Sequence, residues 1–93
     1  MTLRLVLVDD HPVVRAGVRA LIESRDALQV VGEASGALEA VRVVERERPD
    51  VVLMDLSLGD GVGGIEATAR LRALEPAPAV LVLTTYDSES DIL

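Results

Sequence analysis

Residues 49–56 read Pro-Asp-Val-Val-Leu-Met-Asp-Leu, and the run Val51–Met54 within them decides the fold class. A strand with one wet face alternates apolar and polar residues. Four apolar residues in succession, rich in β-branched valine, instead predict a short strand buried on both faces and ending at Asp55. Outward from this run the same signature returns. Leu3–Val8 (LRLVLV) is a strand that stops at Asp9-Asp10, and Ala79–Leu83 (AVLVL) is one that stops at Thr84. Gln29–Ala34 (QVVGEA) is a weaker strand with Gly32 inside it.

Helical patterns separate the strands. Pro12 stands at a first helical position, where its missing N–H is harmless, and Val14, Val18, Leu21 and Ile22 follow at helical spacing to about Ser24. Ala37–Glu47 places Ala37, Ala40, Val41 and Val44 on one face, and Pro49 stops it. A glycine-rich loop, Gly59–Gly64, leads into a helix from about Ile65 to Leu74, which Glu75-Pro76 and Pro78 break. Ser88–Leu93 resembles the first turn of a further helix, with Ser88 as its cap. Repeated strand–helix–strand units predict one α/β domain, a parallel sheet with helices on both faces.

Composition bounds the function. Of 93 residues 49% are hydrophobic, enough for a packed core, and the net charge is −7. An acidic domain has no electrostatic footprint for a nucleic-acid backbone. The sequence contains no Cys, which excludes disulfides and thiolate metal sites. No run approaches the ~20 apolar residues of a membrane span, and Met1–Leu3 leads directly into a strand rather than a signal peptide. A soluble, cytoplasmic protein is expected.

In an open parallel sheet, sites form outside the carboxyl ends of the strands, where strand order reverses. Asp9, Asp10, Asp55, Thr84 and Thr85 all fall at those ends. Each Asp alone is as readily a turn or capping residue. Acid ending two buried strands and a hydroxyl ending a third, all on one edge, points instead to a site. Three carboxylates brought close together repel one another. A hard divalent cation with oxygen ligands, Mg²⁺ or Mn²⁺, is the natural neutraliser.

Four segments carry a family resemblance: Val-Asp-Asp-His-Pro-Val-Val-Arg (8–15), Pro-Asp-Val-Val-Leu-Met-Asp-Leu (49–56), Gly-Gly-Ile-Glu-Ala-Thr (63–68) and Val-Leu-Thr-Thr-Tyr-Asp (82–87). In this order they resemble a response-regulator receiver domain, most closely of the NarL/FixJ (LuxR-type) transcriptional regulators, over the whole chain. The resemblance implies a three-layer, flavodoxin-like (CheY-like) sheet of strand order 2-1-3-4. The family's fifth strand and last helix lie beyond residue 93, so residues 1–93 are expected to be a C-terminally incomplete receiver, and its apolar fourth strand a self-associating edge.

The resemblance also implies roles. Asp55 accepts a phosphoryl group from a sensor histidine kinase. Asp10 binds Mg²⁺ directly, Asp9 acts through a metal-bound water, and the backbone carbonyl of Ser57 completes the ligands. Thr84, in preference to Thr85, contacts the phosphoryl group and switches. His11 is expected to open a helix rather than ligate metal. A homodimer is expected, with DNA bound only through a C-terminal helix-turn-helix domain, and no multiple-turnover enzyme activity. The sequence departs from the family at Gly59, where a proline is usual, and in a loop to Gly64 that is one residue longer. It has no Lys, and no Arg is placed at the active edge.

Three alternatives compete. A stand-alone phospho-signalling receiver differs only in lacking an output domain. A dinucleotide-binding enzyme is suggested by Gly59-Asp60-Gly61-Val62-Gly63-Gly64, but the first glycine follows the strand too late, and Asp55 and Asp60 would repel a pyrophosphate. A phosphohydrolase resembling the haloacid-dehalogenase group would need an Asp two residues after the nucleophile, where Ser57 stands.

Overall fold

A computed structural model of the chain describes residues 2–55 and 63–83. In chain order the elements are β1 (Leu3–Val8), α1 (Pro12–Glu23), β2 (Leu28–Ala34), α2 (Ala37–Glu47), β3 (Val51–Asp55), α3 (Gly63–Arg72) and β4 (Ala79–Leu83). The four strands form one parallel sheet in the order β2-β1-β3-β4.

Side-chain alternation along β1 sorts the core into two layers. Val6 and Val8 face one side, where they join Val52 and Met54 of β3, Ala40, Val43 and Val44 of α2, and Ala67 and Leu71 of α3. Leu5 and Leu7 face the other side with Ile22 of α1 and Val30 of β2, and Val18, Val51 and Leu53 pack at its margin. The architecture is therefore three-layered, as expected from the sequence: α1, the sheet, then α2 with α3.

Among the described residues β4 is the outer strand of the four, where the expected order places it, with Leu81 55% and Val82 39% exposed. Two expectations shift. Leu21 does not belong to the buried face of α1. Ile22 fills that role, and Leu21, one residue around the helix, points to solvent. The third helix begins and ends two residues early, at Gly63 and Arg72. Beyond it Ala73 and Leu74 donate to carbonyls three residues back, Arg70 and Leu71, so the last turn tightens instead of continuing the helix.

The sheet's irregular point lies between β1 and β2. Leu5 pairs with Val30 and Val6 with Gly32, so Val31 is bulged out of register. At the other end of the sheet, α2 ends on Arg48 in the left-handed conformation, φ 48°. The following Pro49 disfavours the right-handed helical region there. Arg4 holds this corner by donating to the carbonyls of Glu47 and Arg48 at 2.7 and 3.1 Å, while its own N–H meets Asp50.

Candidate functional site

The chain passes from β1 outward to β2, then returns to lay β3 on the other side of β1, so strand order reverses between β1 and β3. These two strands pair in parallel with Val8 opposite Met54. Their carboxyl ends therefore open at the same edge, bringing Asp9 and Asp10 to Asp55. One ligating atom from each of Asp9, Asp10, His11 and Asp55 lies within 4.8 Å of the others. Asp55 is 3% exposed and Asp9 9%. Partly desolvated carboxylates at this spacing repel strongly, and a donor set of three carboxylates fits a hard divalent cation.

His11 opens α1, as the sequence implies. It is the N-cap, extended at φ −104° and ψ 103°, with Pro12 directly after it. Its N–H donates to Asp9 Oδ1 at 2.8 Å, which folds the turn and fixes that carboxylate. The ring also enters the cluster, a placement the sequence reading missed. Nδ1 lies 3.0 Å from Asp9 Oδ1, 2.9 Å from Asp10 Oδ1 and 3.9 Å from Asp55 Oδ2. Hydrogen bonding to Asp9, then the charge of Asp10, hold the imidazole above its ordinary value. The signal was the adjacency of Asp9, Asp10 and His11 itself.

An arginine does reach this edge, contrary to expectation. From α1, Arg15 Nη1 donates to the backbone carbonyl of Asp9 at 2.7 Å, and its Nε donates to Glu33 Oε1 of β2 at 2.8 Å. The sequence concealed this because Arg15 falls one helical turn after the cap, where a charged residue reads as solvent-facing. Behind it a cavity of about 130 Å³, lined by Leu7, Val14, Val18 and Leu53, runs from Arg15 to Asp55. Thr84, Thr85, Ser57 and Gly59–Val62 lie outside the described residues, whereas Gly63 and Gly64 form the first turn of α3. No helix among the described residues is long and apolar enough to cross a membrane.

Comparison with known proteins agrees with this geometry. The family model described as "Response regulator receiver domain" matches residues 5–93. The chain is 41% identical over 98% of its length to the uncharacterized transcriptional regulatory protein YhcZ of Bacillus subtilis, and 39% identical over 97% to the transcriptional regulatory protein LiaR of the same organism. It spans 42% of the length of each. Among solved structures, a LuxR-family two-component response regulator from Aurantimonas sp. SI85-9A1 superposes with a TM-score of 0.85 at 46% identity, covering 99% of this chain and 66% of that one. The receiver domain of the putative response regulator NarL from Mycobacterium tuberculosis gives 0.81 at 32% identity, covering 92% and 68%. The chain belongs to the response regulator receiver domain family, in its NarL/LuxR branch.

Proposed function

We propose that Asp55 is the phosphoacceptor of a two-component relay, receiving its phosphoryl group from a sensor histidine kinase. The observation that carries this reading is the convergence of Asp9, Asp10 and Asp55 at the reversal point between β1 and β3. Asp55 is the last residue of an internal strand, flanked by β1 and β4, so its carboxylate is held by the sheet rather than by a loop.

In the proposed step an ionised Asp55 oxygen attacks phosphorus. An O–P bond forms as the P–N bond of the phosphohistidine breaks, and the leaving imidazole nitrogen keeps the electron pair and is protonated. Asp9, Asp10, Asp55 and the backbone carbonyl of Ser57 would hold Mg²⁺ or Mn²⁺. When bound, that ion would offset the negative charge of the carboxylates and the transferring group. Thr84 is assigned the contact to the bound phosphoryl group. With Ser57 where a phosphohydrolase of related fold would carry an acid, the chain is read as a phosphoacceptor without multiple turnover.

The proposal extends to the larger protein. The relatives YhcZ and LiaR are named as transcriptional regulatory proteins, and this supports a cytoplasmic regulator that binds DNA through a domain outside these residues. The proposal includes a homodimer of that regulator, to be read by light scattering. The central step is tested by incubating the chain with acetyl phosphate and Mg²⁺ and measuring intact mass. A gain of one phosphoryl group that Asp55→Ala abolishes supports the reading; a gain that persists in Asp55→Ala overturns it.

A further inference from the structure

We infer that Arg15, oriented by Glu33, is a positioning residue that fixes the peptide group joining Asp9 and Asp10. This inference rests on the reading of the cluster as a divalent-metal and phosphoryl site.

β1 ends at Val8, whose partner on β2 is Ala34. The next peptide N–H, that of Asp9, still finds a strand partner and donates to the Ala34 carbonyl at 3.0 Å. The carbonyl of Asp9 has passed beyond the ladder, and the guanidinium of Arg15 donates to it at 2.7 Å. That carbonyl and the N–H of Asp10 belong to one rigid plane. Fixing it sets the directions in which the Asp9 and Asp10 side chains leave the backbone. A one-ångström error there matters to a cation that needs near-ideal oxygen placement.

Arg15 is itself held. Its Nε donates to Glu33 Oε1 at 2.8 Å, and Arg19 pairs with the other oxygen of the same carboxylate. Glu33 lies on β2 directly before Ala34 and pairs with Leu7 of β1, so the orienting carboxylate is anchored in the sheet beside the site. Both Arg15 and Glu33 are half-buried, at 23% and 26% side-chain exposure. An ion pair this exposed adds little to stability, whereas the planar guanidinium can reach two acceptors at once in a fixed fork. Lysine has the charge but not the fork.

The test uses the chain with Arg15→Ala, Arg15→Lys, Glu33→Ala and Arg19→Ala. Mg²⁺ affinity is measured by calorimetry, and the Asp10 amide is followed by ¹⁵N NMR in the metal-free protein. Arg15→Ala and Arg15→Lys should each weaken Mg²⁺ binding about tenfold, the scale seen when outer-shell partners of metal ligands are removed. Both should also move the Asp10 amide resonance, which reports the lost hydrogen bond to the carbonyl bonded to it. Glu33→Ala should weaken binding in the same direction, and Arg19→Ala, which leaves both hydrogen bonds of Arg15 in place, should weaken it less than Glu33→Ala does. Wild-type Mg²⁺ affinity in Arg15→Lys would show that charge alone matters and overturn the inference. An unmoved Asp10 amide in Arg15→Ala would overturn it as well. Absence of saturable Mg²⁺ binding by the wild-type chain would overturn the reading of the site, and the inference with it.

Discussion

Val43 Cγ1 lies 2.6 Å from where a β-carbon on Gly32 would stand, so β2 and α2 meet at a point that admits only a hydrogen. Val43 is 5% exposed and cannot retreat without disturbing the core layer it shares with Val6 and Val44. Gly32→Ala should therefore cost about 1–3 kcal/mol by overpacking. Urea unfolding should show a lower midpoint with an unchanged slope. Val43→Ala opens the same space, so the double variant should lose less than the two single losses combined.

Leu71 and Leu21 separate burial from composition. Leu71 of α3 is fully buried beneath the sheet, and Leu21 of α1 is 73% exposed. Leu71→Ala should cost about 2–5 kcal/mol, by lost burial and a residual cavity. Leu21→Ala should stay within about 0.5 kcal/mol of the wild type. Thermal unfolding of both variants checks the contrast.

Glu39 gives a pH dependence with a definite sign. Its carboxylate accepts from the Ser35 N–H at 2.7 Å and from the Ser35 hydroxyl at 3.1 Å, across the first turn of α2. These bonds, the backbone one foremost and then that of the hydroxyl, hold its carboxyl below the ordinary carboxylate value. A lowered folded value means stability that is present above the ordinary value and lost as pH falls through the folded one. At neutral pH the gain over Glu39→Gln should be at most about 1 kcal/mol, because the site is exposed and screened. The gap between the two proteins in urea midpoint should close on acidification.

Much of this was legible in the sequence. Buried strands announce themselves by unbroken aliphatic runs, and their ends mark the edge where Asp9, Asp10 and Asp55 meet. Leu21 was misplaced because it and Ile22 are neighbours on α1, and spacing alone does not say which of the two faces the sheet. The reach of the His11 ring and of the Arg15 side chain was concealed for a different reason. Both act across space, through a ring nitrogen aimed back at its neighbours and a guanidinium reaching past one helical turn, and neither leaves a periodic trace.

Mg²⁺ should stabilise the folded chain by mass action. A concentration of one hundred times Kd should add about 2.7 kcal/mol, read as a rise in thermal midpoint. Asp10→Asn removes one carboxylate from the cluster and should remove most of that increment.

The most direct test of the central claim is to locate the phosphoryl group. After acetyl phosphate and Mg²⁺, borohydride reduction of the acyl phosphate followed by peptide mass mapping should place the modified residue at 55 and nowhere else. Modification at Asp9, Asp10 or a hydroxyl residue, with Asp55 intact, would contradict the account.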